Sequence, residues 1–309
     1  MRVSIAIPLL NEEAVLPELV RRIAAALDGI PGGPHEVVFV DDGSTDATRA
    51  MLAEARRADG RIRAVLLSRN FGHQPAISAA LDHVRGDVVI VMDGDLQDAP
   101  EEIPRFLAVH AEGYDVVYAR RVDRKEGVVL RACYFLFYRA FARLSRVSIP
   151  IDAGDFALMS RRVVDAIRSA PERNRYLRGL RAWAGFRQQG IIVERAARSA
   201  GQSKYSYRAL IRLALDGLFA FSIVPIRAAM FLGALTILVA MVFVLYAIYA
   251  KLMLHRSPQG FTAIILIMTF LSGVILFFLG VVGEYVGRVY EETKARPLYV
   301  VDRVLGDGD

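Results

Sequence analysis

GDVVIVMDGDLQD, residues 86–98, is the stretch from which the fold of this chain is read. Its centre, Val88 to Met92, is short, apolar and β-branched, with glycine and aspartate on each side, the pattern of a strand buried on both faces. Asp93 and Asp95 then fall at the strand's carboxyl end, where an open α/β sheet places its ligands. Side chains at i and i+2 of an extended segment share a face, so both carboxylates are expected to converge on a hard, oxygen-seeking cation such as Mg²⁺ or Mn²⁺. Such an ion is suited to clamping a diphosphate. Taken alone, the pair reads more readily as a polar turn into a helix, and it is the accompanying motifs that favour the cation site.

Outward from this segment the first ~120 residues alternate strand and helix. Strands are expected at Val3 to Ile7, Val37 to Val40 and Arg63 to Leu67. A helix over Glu12 to Leu27 follows from the spacing of Val15, Leu19, Ile23 and Leu27, and further helices begin near Asp46 and Gln74. This order predicts a mostly parallel, doubly wound sheet. Pro8, Leu10, Asn11 and Glu12 follow the first strand, and Asp41, Asp42, Gly43 and Ser44 follow the second. Asn11 reads as a helix cap, and so does Ser44 or Thr45. A carboxylate after strand two can accept hydrogen bonds from a base or ribose. Together these groups place polar residues at the carboxyl ends of three neighbouring strands, as a nucleotide-diphosphate site requires.

The remainder differs in composition. The net charge is +6, yet 54% of the 309 residues are hydrophobic. The excess lies after residue 225: Ala228 to Ala250 and Phe261 to Gly283 contain no charge. At ~1.5 Å per residue each is long enough for the ~30 Å hydrocarbon core, and two membrane helices are expected. Their outer flanks carry Arg208, Arg212, Arg227, Arg288, Lys294 and Arg296 against Lys251 and Arg256 between them, which orients both termini to the cytoplasm. The apolar start of the chain is too short for a signal peptide and meets Pro8. A lone Cys133 fits a reducing compartment. Segments 129–144 and 205–224 are amphipathic and basic and read as interfacial helices. Glu284 and Arg288 are spaced as an i,i+4 pair. The domains expected are therefore a cytoplasmic catalytic domain over 1–225, a membrane hairpin over 226–287 and a cytoplasmic tail over 288–309. No nucleic-acid motif accompanies the basic charge, so nucleic acid is excluded as a partner.

IPLLNEE, VDDGSTD, LSRNFGHQPAISAALDHVRGD and MDGDLQDAPEEIP resemble, in order, the signatures of family 2 glycosyltransferases of GT-A fold. DAGDF (152–156), GQSKY (201–205) and GEYVGRVYEETKARPLYVV (283–301) resemble the polyprenyl-phosphate branch, which includes dolichyl-phosphate mannose synthase-like enzymes and bacterial undecaprenyl-phosphate glucosyltransferases. The resemblance implies inverting transfer of a sugar from a nucleotide-sugar to a polyprenyl phosphate at the cytoplasmic face of a bacterial inner membrane. It implies Asp93, Asp95 and Gln97 as holders of Mg²⁺ or Mn²⁺. Pro8, Leu10, Glu12, Asp41, Asp42, Gly94, Arg198, Ser203 and Lys204 join them in donor binding, and Asp155 and Asp95 are the catalytic carboxylates. Two departures stand out: Ala99 where proline is common, and Ala157 where the family often has arginine.

A phosphate monoester is largely dianionic at pH 7, its second pKa being near 6. Such an acceptor needs cations beside it more than a base, which suits Arg121, Arg124 and Arg131 to its phosphate and Asp155 to orientation first and base catalysis second. His73 reads as a helix-capping or pocket-lining residue, and Trp183 as a core aromatic or a stacking group. The donor is taken as UDP-glucose, with GDP-mannose or a UDP-amino sugar as alternatives. Further partners implied are a flippase and glycosyltransferases acting downstream, with a homo-oligomer left open. Rival functions are a processive polysaccharide synthase, which would carry Q-x-x-R-W, a non-catalytic membrane scaffold or sugar sensor, and a nucleotidyltransferase.

Overall fold

Runs of Val, Ile and Ala too apolar to leave in water form the sheet of the computed structural model. It describes residues 1–120, 153–170, 172, 175–193 and 260–306, with scattered positions between 231 and 253. Strands β1 (Val3–Leu9), β2 (Glu36–Asp41), β3 (Ile62–Leu67) and β4 (Val88–Val91) are buried along their whole length. Between them lie α1 (Leu16–Asp28), α2 (Thr48–Ala58) and α3 (His73–His83). Leu19, Ile23 and Leu27 bury one stripe of α1, as their spacing requires.

Beyond β4 come α4 (Ile103–Ala111), β5 (Val116–Arg120), β6 (Ala153–Ser160), α5 (Arg161–Ser169), α6 (Leu177–Trp183), β7 (Gln188–Ile192), α7 (Phe261–Thr293) and β8 (Val301–Leu305). The sheet order is β7-β5-β6-β4-β1-β2-β3-β8. The expectation of a mostly parallel sheet needs correction to a mixed one. Strands β3, β2, β1 and β4 are parallel neighbours, and β5 and β7 run in the same direction as these. Strands β6 and β8 are reversed, so three of the ladders among the described residues are antiparallel.

The first reversal positions the site. Strand β6 pairs with β4 as Val88↔Ser160 through Val91↔Ala157. Asp93 follows β4 by two residues and Asp155 lies near the start of β6, so this pairing brings the two acids to the same end of the sheet. The amino end of β6 therefore lies beside the carboxyl end of β4. Phe156 anchors that end against Phe106 of α4, with ring centroids 4.6 Å apart.

Strands β1–β8 and helices α1–α6 belong to one compact unit and α7 to another. Within α7, Phe270–Thr293 is long and apolar enough to cross a membrane, and it is the one such stretch among the described residues. Its Phe270, Ile275, Leu276 and Phe277 side chains are exposed. Arg288 donates to Glu284 at 2.9 Å, one turn away. Of the other expected span, 228–250, about half the positions are described, and those are helical. The expected interfacial helices lie outside them as well. The expected tail contains β8, which pairs with β3 from Leu67↔Val301 to Ala64↔Leu305.

Candidate active site

The parallel registers align the carboxyl ends of β1, β2 and β4, so the loops after them are neighbours. The first two are stitched together. Asn11 N–H donates to Ser44 Oγ at 2.9 Å, Thr45 N–H returns to Asn11 Oδ1 at 2.8 Å, and Glu12 N–H reaches Thr48 Oγ1 at 3.0 Å. Asn11 adopts φ 55°, a left-handed conformation that asparagine tolerates. Neither Asn11 nor Ser44 or Thr45 caps a helix: α1 begins only at Leu16, and Asp46 Oδ1 receives the Thr48 N–H of α2. Pro8 sits within β1, Leu10 and Glu12 are half-buried just beyond it, and all three border this junction.

Asp41 and Asp42 are both buried and both engaged within the protein. Asp41 takes the Arg49 Nε–H at 2.6 Å and the Ser44 N–H at 3.2 Å. Asp42 accepts the N–H groups of Phe71 and Gly72 at 2.7 and 2.9 Å. Burial pushes the Asp42 carboxyl up, and the two N–H bonds offset only part of that. These acids shape the loops. Gly43, directly after Asp42, has φ +76°, and a Cβ there would run into the backbone of Arg69 and Asn70. Only glycine fits so tight an approach.

The Asp93–Gln97 loop departs from the extended geometry expected of it. Strand β4 ends at Val91, and Asp95 Oδ1 accepts the Gln97 N–H at 3.1 Å in a side-chain turn. Leu96 within it has φ 58°, uncommon for a bulky residue. Asp98 Oδ2 takes the Asp93 N–H at 3.2 Å. Gly94 packs on β1, where a Cβ would run into the Leu9 side chain.

Across from this loop Asp155, 7% exposed, is gripped by Arg178 of α6 through two bonds of 2.8 and 2.6 Å. Burial pushes its carboxyl up, but the Arg178 guanidinium outweighs that and holds it well below the usual carboxylate range. Arg181, 1% exposed, donates to Gly154 O at 3.3 Å, and burial lowers its pKa to about 10. His73, the first residue of α3, lies between the two acidic segments: its Nε2 is 3.6 Å from Asp93 Oδ1 and 4.0 Å from Asp155 Oδ2. It lines the site and does not cap α3, whose cap position is Gly72. Sequence reasoning missed Arg49 and Arg178. Arg49 lies eight residues beyond the acid it pairs with, and Arg178 lies in α6, 23 residues beyond its own. Trp183 is 56% exposed and so is not a core aromatic. Arg121, Arg124, Arg131, Arg198, Ser203 and Lys204 lie outside the described residues.

Residues 4–168 match the profile of the family described as "Glycosyl transferase family 2". The chain belongs to this family. A glycosyltransferase of Synechocystis sp. is 41% identical over 99% of this chain and 96% of its own length. A "Bactoprenol glucosyl transferase" of Shigella phage SfV is 36% identical over 97% of the chain and 98% of its own length. The prophage bactoprenol glucosyl transferase homolog of Escherichia coli is 35% identical, over 98% and 99%. Among solved structures, the mannosyltransferase PcManGT of Pyrobaculum calidifontis, in complex with GDP-Man and Mn²⁺, superposes with a TM-score of 0.50 at 21% identity. That overlap covers 71% of this chain and 63% of the other, and it supports the GT-A fold for this family 2 transferase.

Proposed function

We propose that this family 2 transferase moves a sugar from a nucleotide-sugar, UDP-glucose before GDP-mannose or a UDP-amino sugar, to a polyprenyl phosphate. The observation that carries this reading is the 36% identity to bactoprenol glucosyl transferases along nearly the whole chain, which spans the site loops and the apolar region alike. The acceptor phosphate oxygen attacks the anomeric carbon, the nucleoside diphosphate leaves, and the configuration inverts. A dianionic acceptor needs little help from a base. Asp155, ionised against Arg178, accordingly acts through its charge and the orientation it gives the site.

Among the described residues no three carboxylate, imidazole or thiol groups gather into a metal-holding cluster. Two carboxylates completed by substrate phosphates are what Mg²⁺ commonly takes, so Asp93 and Asp95 fit a divalent ion bound together with the donor. Bound there, the ion would offset charge on the leaving diphosphate. The exposed apolar surface of α7 supports a membrane anchor. In this proposal a second span over 228–250 completes the hairpin, Arg121, Arg124 and Arg131 receive the lipid phosphate, and catalysis faces the cytoplasm.

The test is to incubate membranes containing the protein with undecaprenyl phosphate and a panel of radiolabelled nucleotide-sugars, then identify the labelled lipid. One donor should give an undecaprenyl-phosphate sugar, EDTA should abolish it, and Asp95→Ala should do the same in a protein that still folds. No labelled lipid from any donor would sink the proposal, and full transfer in EDTA would remove the metal from it.

A further inference from the structure

The loop from Ser68 to Gly72 supplies the N–H groups that hold Asp42, closes on Gly43 and leads into His73. What holds this loop comes from the far end of the chain. At its start Ser68 N–H donates to Val300 O at 2.9 Å, continuing the ladder between β3 and β8. Beyond its end, Tyr299 Oη donates to Asp82 Oδ2 at 2.7 Å in the last turn of α3. Tyr299, Val301 and Val304 pack with Phe71 onto one side of the core. Two adjacent tail residues thus tie both elements that flank the loop. Without β8, β3 would be an edge strand with its backbone groups unpaired.

We propose that the tail after α7 is a brace for the donor site, with Tyr299 as a positioning residue: docked, it fixes residues 68–73 in the arrangement that receives the nucleotide. The inference rests on the donor-site reading above and adds that this site is complete only when the chain beyond the apolar helix has returned to the sheet. Loops held through an added strand and one side-chain bond open locally at low cost when those are removed.

The experiment compares full-length protein in detergent with a chain ending at Ala295 and with Tyr299→Phe. Hydrogen exchange at 68–76 should accelerate at least tenfold in the truncation and about threefold in Tyr299→Phe, with exchange in β1 and β4 unchanged. UDP affinity with Mn²⁺ should weaken about tenfold in the truncation while the KM for polyprenyl phosphate stays within about twofold. A synthetic peptide of residues 296–309 added in trans should restore protection. Unchanged exchange at 68–76 in both variants overturns the brace. A truncation that fails to fold leaves Tyr299→Phe to decide by the same readout. Exchange needs no nucleotide, so absence of UDP binding by the wild type would count against the donor-site reading and leave the brace to be decided on its own.

Discussion

Arg178→Met is expected to destabilise the protein by about 3 kcal/mol near pH 7. Breaking a buried ion pair by removing one partner typically costs about 3–5 kcal/mol, because the other charge stays in a poorly solvating site. Asp155 is buried and receives two short bonds from Arg178, which argues for that range; the nearby Arg181 offers partial compensation, which argues for its lower end. The pH dependence distinguishes this from loss of packing. In the wild type the folded carboxyl is depressed, so its stabilisation is present above the unfolded pKa of ~3.9 and is lost only as pH falls through the folded value. Between roughly pH 5 and 7 the wild type should be indifferent to this group. Without Arg178, burial dominates and the folded pKa rises. Stability then decreases as pH climbs through that raised value, so the variant should gain stability from about pH 7 to 5 as the buried acid takes up a proton. Urea unfolding of both proteins at the two pH values measures the gap. A gap that is the same at both, or under ~1 kcal/mol at pH 7, would refute the electrostatic account.

Gly43→Ala should cost at least ~2 kcal/mol in the same assay, since the new methyl meets Asn70 N in a backbone region that alanine avoids. A neutral result would mean that the 68–72 loop moves away freely. His73→Gln should lower kcat about tenfold with donor affinity nearly unchanged, because the imidazole lies between two acidic groups of the site and outside the core. Steady-state kinetics with both substrates varied tests this, and an unchanged kcat would leave His73 a lining residue only.

The parallel half of the fold was legible because each strand announces itself locally. Val37–Val40 and Val88–Val91 are β-branched runs closed by acids and glycine, and α1 shows its buried stripe directly. The reversed strands were not. DAGDF was read as a motif, but nothing in its residues says that it enters the sheet backwards beside β4. VDRVL at the end of the chain alternates too briefly to separate a strand from a tail, and its partner is over 200 residues away. The candidate site divides in the same manner. Asp93, Asp95 and Asp155 could be named from their segments. The internal engagement of Asp41 and Asp42 could not, because their partners, Arg49 and the backbone of Phe71 and Gly72, are chosen by tertiary contact.

The register between β4 and β6 has a practical corollary for recombination with relatives. Asp93 and Asp155 come to the same end of the sheet because Val91 pairs with Ala157, and a slip of one residue would turn the β6 side chains to the opposite face of the sheet. The two segments therefore have to match each other in length. A chimera that takes 86–98 from one parent and 153–160 from another keeps its acids aligned only if both parents count the same number of residues from the paired valine and alanine. A length change anywhere between Ala119 and Ala153 leaves that count untouched, whereas a single deletion inside either strand separates the two halves of the site.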